Sequence, residues 1–429
     1  MPALCAGLLA ALMLATAPSL EAQIPAPPQA RPVALVGGTI HTVSQGVIER
    51  GTLVFEEGRI TAVGADVAVP AGAERVDVTG RHIYPGLIDA HSNMGLFEIG
   101  GIDQAIDLNE LGPFNPNVRA HVAFHPASRH IGVARSSGVL VTVSAPTGGL
   151  ISGLAAAMMM EGWNWEQMTV APEVGLMVNW PSPFNQRLYT RGIRQLRDFF
   201  AAARAYQVAH AATPGGHATD ARLAAMGPVL DRQVPVVVSA NELRQIQDAM
   251  DWAADEGIRL VILGGRDAGF IADELAQRDV PVLLSSVLTS PNRAWEPYDA
   301  AYSLPARLHQ AGVRFAIAGG SAAAYANRLP YEAGAAIAFG LPADEALRAV
   351  TLRPAQILGI DHRVGSLEPG RDATLMITTG NPLEYSTVVE QVYIAGRQVD
   401  MRDAHRQFFE RYQEKLRQFS AEEEQVVSP

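Results

Sequence analysis

Lysine is almost missing from this chain: of 33 basic residues in 429, all are arginine except Lys415, close to the C-terminus. No residue before Lys415 can therefore offer a primary amine, and arginine keeps its charge in its place. Cysteine is scarcer in effect, because the single one, Cys5, lies in the N-terminal segment. The rest of the chain is denied disulfides and thiolate metal sites. Positive charge is short as well; a net charge of −11 leaves no basic surplus for nucleic acid, whose phosphates need clustered Lys and Arg. A small molecule is the partner this balance favours. Long apolar runs are also absent. The apolar core of the N-terminus, residues 4–17, is too short to span a bilayer. Small residues and a Pro-rich stretch follow it, the layout of a secretory signal peptide with a cut after Ala22. An N-terminal membrane anchor is the alternative. The sequence thus predicts a signal peptide over 1–22, a Pro-rich linker over 23–32, no transmembrane span after cleavage, and a periplasmic or secreted protein.

What remains is an ordinary globular balance, 48% hydrophobic and 18% charged, enough for a large domain and a smaller one. Residues 33–64 alternate apolar and polar side chains around the turn signals Ser44-Gln45-Gly46 and Glu56-Glu57-Gly58-Arg59, which predicts short strands joined by hairpins. The same signature returns at "RDATLMITTG" and "VVEQVYIAGRQVD" near the other end. The two ends are expected to fold together as one small β-sandwich domain, 33–86 with 356–400. Between them, continuous apolar runs such as "GVLVTVSA", "VPVVVSA", "IRLVILGG" and "VRFAIAGG" read as strands buried on both faces. Helical patterns separate several of them. Seven such strands, with an eighth in "GLISGLAAAMMM", predict an α/β fold, a (β/α)8 barrel over 87–355. A doubly wound open sheet is the other candidate, but no Gly-x-Gly-x-x-Gly opens a helix here. Residues 401–429 read as a final helix and a disordered acidic tail.

The stretches "YPGLIDAHSN" and "LPADEALRAVTLRPAQILGIDHRVGSLEPGRDATLMITTGNPLE" resemble the amidohydrolase superfamily, the metal-dependent hydrolases related to urease, dihydroorotase and imidazolonepropionase. The likeness runs over roughly residues 33–400. It implies a divalent ion at the C-terminal mouth of the barrel. The implied holders are His-x-His on strand 1, often a carboxylated lysine on strand 4, one His each on strands 5 and 6, and an Asp on strand 8. Residues i and i+2 of a strand share a face, so two imidazoles can grip one ion. The ion makes hydroxide available near neutral pH, and the Asp moves its proton to the leaving nitrogen.

Position by position, this chain departs from that pattern. His91 matches the first ligand, but Asn93 stands at the second, where an amide oxygen is a poor substitute for imidazole toward Zn. Strand 4 has no lysine, and Glu161 and Glu173 read as solvated or capping residues, not replacements. Strand 5 offers Ser239 and Asn241, and strand 6 ends in Gly264-Gly265, with Asp267 expected to cap the next helix. From Arg314 to Tyr331, across strand 8, there is no Asp, Glu, His or Cys. His91 is the sole matching ligand position, so no bound metal or other cofactor is expected.

Other groups read as structural. The excursion after strand 1 carries Glu98, Asp103, Asp107, Glu110, His121, His125 and His130. Of these, His121 and His125 could share a helix face, yet they lack the His-Glu-x-x-His context of a zinc site. His210, His217 and His309 read as outer-surface residues, and His41, His82, His362 and His405 as residues of the terminal strands and their junctions. Neither Ser239 nor Ser321 sits in a nucleophile elbow. "PTGGLISG" lacks the Lys of a phosphate loop, and Trp163 and Trp165 read as packing. The expectation is an exported, metal-depleted, catalytically degenerate member of the superfamily. It would bind a small ligand or partner at the mouth through His91, Asn93, Ser239, Asn241 and Ser321. The alternative is an active hydrolase of carbon–nitrogen bonds in cyclic amides, N-acyl amino acids or dipeptides, with Zn or another divalent cation in an atypical site. Nothing in the sequence sets the oligomeric state or gives positive support to a purely structural subunit.

Overall fold

The computed structural model describes residues 24–427, apart from 214. The expected signal peptide and Cys5 lie outside the described residues. Two eight-stranded sheets organise the rest. The first takes β1 (Val33–His41), β2 (Val47–Glu56), β3 (Arg59–Gly64), β4 (Glu74–Asp77) and β5 (His82–Pro85) from the N-terminal part. The second consists of β6 (Leu87–Ser92), β7 (Val139–Ser144), β8 (Ile151–Met159), β9 (Thr169–Asn179), β10 (Val236–Ala240), β11 (Leu260–Gly264), β12 (Val282–Leu284) and β13 (Phe315–Ile317). The chain then returns to the first sheet with β14 (Leu375–Thr378), β15 (Val389–Ile394) and β16 (Arg397–Val399).

The join between the two ends of the chain is β14 against β5, with Met376 opposite Tyr84 and Ile377 opposite Ile83. Strand β1 changes partners along its length, pairing β4 from Val33 to Val36 and β5 at Thr39 and Ile40. Leu35, Phe55, Ile83, Leu375 and Tyr393 meet in one apolar core of this sheet. Hydrogen bonding makes it a single sheet wrapped over its own core.

The second sheet is the barrel. Its order is sequential from β6 to β13, and it closes where Asn93 N–H donates to Ser321 O at 2.9 Å and Gly319 N–H to Asp89 Oδ1 at 3.1 Å. The apolar runs expected as strands are strands; every residue of β7, β8 and β12 is buried, as it must be where helices or barrel interior cover both faces. One strand departs from the parallel pattern. β8 is antiparallel to both β7 and β9, so its start lies at the mouth and its end at the floor. The helix Leu243–Glu256 shows how the outer layer is set. Gln245 Oε1 accepts the Glu242 N–H at 3.1 Å to start it, and Gly257 at φ 63° ends it. Ile246, Ala249, Met250 and Ala253 form its buried stripe.

The final helix, Ala404–Val427, runs through the glutamate cluster expected to be a disordered tail. Glu and Gln are good helix formers, and the run holds no Gly or Pro to stop it. Among the described residues, no helix is long and apolar enough to cross a membrane.

Candidate active site at the barrel mouth

Strand β6 delivers the site. Asp89, His91 and Asn93 stand two residues apart, but the register against β7 shifts between Asp89 and Ser92, and each meets a different environment. Asp89 is completely buried; Oδ1 accepts Gly319 N–H, while Oδ2 has no partner among the described residues. Burial pushes its carboxyl up to about 7, helped by the nearby Glu332 charge and opposed by the Gly319 and His91 N–H groups. Opposite it in register stands Thr142 of β7, whose Oγ1 is also buried without a partner. His91 encloses its Nδ1 in the same way, and burial lowers its imidazole to about 4. A cavity of about 10 Å³ lies against it, lined by Ala90, Val143, Ala155, Met177 and Leu283. That is room for a single water.

Asn93 has a different task. Its Oδ1 accepts the N–H of Ala323 at 2.6 Å, the first residue of the 3-10 helix Ala323–Arg328. Together with the backbone bond to Ser321, it pins the end of strand β6 to the segment after β13. The amide oxygen is therefore spoken for within the chain.

Across the barrel, four strands away, Ser239 stands near the end of β10 and Asn241 just past it. Ser239 is half-buried and Asn241 exposed. A β-carbon on Gly264 would lie 2.5 Å from Asn241 Oδ1. Gly264 and Gly265 have φ of 96° and 61°, a left-handed pair at which any side chain is strained, and a β-carbon on Gly265 would lie 2.6 Å from Val282 Cγ1. Asn179, at the end of β9 where a carboxylated lysine is implied, donates through Nδ2 to Gly149 O and Ser152 Oγ, each at 3.0 Å. It ties β9 to the β7–β8 turn. Of the five mouth residues expected from sequence, then, His91, Asn93 and Ser321 gather at the seam, and Ser239 and Asn241 face them from the far side.

The remaining candidates are engaged in the framework, at the floor or in the loops. Because β8 runs downward, Glu161 lies at the floor, buried in an ion pair with Arg135. Glu173 pairs with Arg119 at 3.4 Å. Asp267 does not cap the helix that follows it. Its Oδ2 accepts Leu243 N–H at 3.0 Å from the preceding helix, and both oxygens take Arg293 at 2.8 Å. Burial raises its carboxyl, but the Arg293 and Leu243 bonds hold it below the ordinary value. His121 and His125 share no helix face, because the helix Ala120–Ala123 ends between them at the extended Phe124. His121 packs beside Trp165, ring centroids 5.3 Å apart, whereas Trp163 is exposed and does not pack as expected. The residues that sequence reasoning passed over are Asp89, Thr142 and Glu332. Glu332 is buried and accepts the N–H groups of Val287 and Leu288 at 2.5 and 2.7 Å, shaping the loop after β12. Asp89 had a signal, since it precedes His91 by the same two residues by which Asn93 follows it.

A divalent ion needs several anionic or imidazole donors converging on one point. Here one imidazole stands above one enclosed carboxyl, the neighbouring amide is engaged, and the other strand ends present glycine, serine or asparagine. Among the described residues, no three His, Cys, Asp or Glu side chains gather to hold an ion. This donor set does not fit the superfamily's metal centre.

Comparison with known proteins agrees with the architecture. The amidohydrolase family model matches residues 300–399. A solved amidohydrolase structure from Thermotoga maritima superposes with a TM-score of 0.79 at 28% identity, over 86% of this chain and 100% of that one. Amidohydrolase tasK of Hapsidospora irregularis is 23% identical over 81% of this chain, which spans only 39% of that protein's length. A shorter match joins 11% of the chain to 13% of an imidazolonepropionase from Mesorhizobium japonicum at 43% identity. The chain belongs to the amidohydrolase superfamily.

Proposed function

We propose that this protein is an exported member of the superfamily that has given up metal-activated hydrolysis and binds a small ligand at the barrel mouth. The observation that carries the reading is the bond from Ala323 N–H to Asn93 Oδ1. It turns the position of a second metal ligand into a fastening of the barrel seam. The open polar atoms of Asp89, His91 and Thr142 supply hydrogen-bonding capacity for a ligand or its bridging water. Exposed Phe270 and Trp295 on neighbouring mouth loops, with Arg293 5.4 Å above the Trp295 ring, supply a rim for an apolar or planar group. Export rests on the N-terminal sequence alone.

A second reading, hydrolysis of carbon–nitrogen bonds around an atypical ion, is favoured by one feature. Asp89 and His91 lie two residues apart with partnerless polar atoms, and a buried carboxyl displaced toward neutrality is a common mark of acid–base chemistry.

One preparation separates the two. Protein secreted from cells grown with added Zn, Mn and Fe is weighed intact, assayed for metal, and screened for cleavage and thermal stabilisation with cyclic amides, N-acyl amino acids and dipeptides. The proposal expects a mass beginning at residue 23 and well under one ion per chain. It also expects no turnover, and a stabilising ligand whose effect His91→Ala abolishes. Stoichiometric metal lost along with amidase activity in His91→Ala would overturn it, and an intact N-terminus in the cytoplasm would remove export.

A further inference from the structure

The helix Ala404–Val427 leaves the body at Asp403, whose Oδ1 accepts Arg406 N–H at 2.9 Å and whose carbonyl accepts Gln407 N–H at 3.1 Å. Asp403 is buried and near enough to Arg135 to be felt by its charge, and the helix meets the body at the helix Arg129–Ser136. Past that root, Phe408, Phe409, Tyr412, Leu416 and Phe419 are each more than half exposed. A lone helix gains little from its own hydrogen bonds and is ordinarily held by burying an apolar face. Among the described residues, nothing lies along this one.

The spacing of the stripe says what covers it. Phe409, Tyr412, Leu416 and Phe419 step by three, four and three residues, and the sequence continues the step to Glu423 and Val426. That is the a/d rhythm of a helix that packs on another helix. The charges then choose the orientation. Residues 405–418 hold four Arg or Lys against two Glu, whereas 419–427 hold three Glu and no basic residue. Two such helices side by side in the same direction would set the glutamates of one against those of the other. Side by side in opposite directions, each basic half meets an acidic half. A membrane surface would call for basic residues along the whole polar face, which the glutamate run contradicts.

We propose that the C-terminal helix pairs antiparallel with the same helix of a second copy of this chain. The full mature protein is the sample, followed by sedimentation velocity over a range of concentrations. A dimer is expected, and Tyr412→Glu with Leu416→Glu should raise its dissociation constant on the order of 100-fold while the unfolding transition of the body stays in place. Reversing Glu422, Glu423 and Glu424 to Arg should also dissociate it. Reversing Arg411, Lys415 and Arg417 to Glu in that same chain should restore it, because both halves then carry exchanged but complementary charge. A monomer at every concentration, a dimer indifferent to the double substitution, or a triple reversal that the second reversal fails to rescue would each overturn the proposal. So would a monomer that floats with phosphatidylglycerol–phosphatidylcholine vesicles, since the stripe would then face lipid.

Discussion

The floor and the mouth of this barrel both bury charged or polar groups, and they treat them oppositely. At the floor, Glu161 closes its account within the chain. Oε2 takes Arg135, Oε1 takes the Ala26 N–H at 2.6 Å, and Arg135 also donates to Met160 O and Asp400 O at 3.1 and 2.9 Å. At the mouth, Asp89 Oδ2, His91 Nδ1 and Thr142 Oγ1 are enclosed and have no partner among the described residues. Burying a polar group without a partner is costly. The carboxylate at the floor is answered within the chain, whereas the mouth groups keep bonding capacity that the proposed ligand would use.

The comparison can be broken hardest at the floor. Glu161→Gln keeps the shape but leaves the Arg135 charge buried without its main counter-charge. Removing one member of such a pair costs about 3–5 kcal/mol. Chemical denaturation should show that loss, and the segment that begins at Ala26 should gain hydrogen exchange. A loss below about 1 kcal/mol would mean that the pair behaves like a surface ion pair despite its burial.

Much of this was readable in the chain, and what was not has a physical cause. The barrel strands stand out because doubly buried strands are continuous apolar runs, as in Val236–Ala240 and Leu260–Gly264. The reversed direction of β8 was not read, though the short link before it carried the signal. The β7–β8 connection spans only residues 145–150, whereas a parallel crossover needs a dozen or more. That length sends Glu161 to the floor. The role of Asn93 was not readable, because its partner Ala323 lies 230 positions away and only the closed barrel brings the two together. Asp89 was visible as a residue, but not its burial or the missing partner of Oδ2 among the described residues.

At the mouth the contrast can be sharpened with pH. Asp89 holds its proton more tightly when folded, at about 7 against an ordinary 3.8. Its stabilising contribution is therefore complete below about pH 4 and is lost as pH rises through 7. His91 is the reverse, about 4 folded against 6.5; its contribution is present above about pH 6.5 and is lost as pH falls through 4. The two windows overlap with opposite slopes, so the wild type hides both. Asp89→Asn removes the first slope and should be the more stable protein at pH 8, by at most about 4 kcal/mol. His91→Gln removes the second and should unmask the first, so that stability falls as pH rises from about 4 to 7. The check is the melting temperature of each variant against pH. Curves parallel to wild type would show that neither group is held in its neutral form by the barrel.

The smallest effect tests the seam. If Asn93 is a vacated ligand position, nothing depends on its side chain and Asn93→Ala is silent. If it is the fastening between β6 and the Ala323–Arg328 turn, alanine leaves the Ala323 N–H buried and unanswered, at a cost of about 1–3 kcal/mol. Amide exchange should then rise across 323–328 before the rest of the barrel opens. Asn93→Asp keeps an acceptor oxygen at the same distance and should retain much of that protection. A ligand position that had merely drifted would show no preference between the two variants, so the ordering asparagine, aspartate, alanine in local protection reads out a structural oxygen and separates it from a lost metal donor.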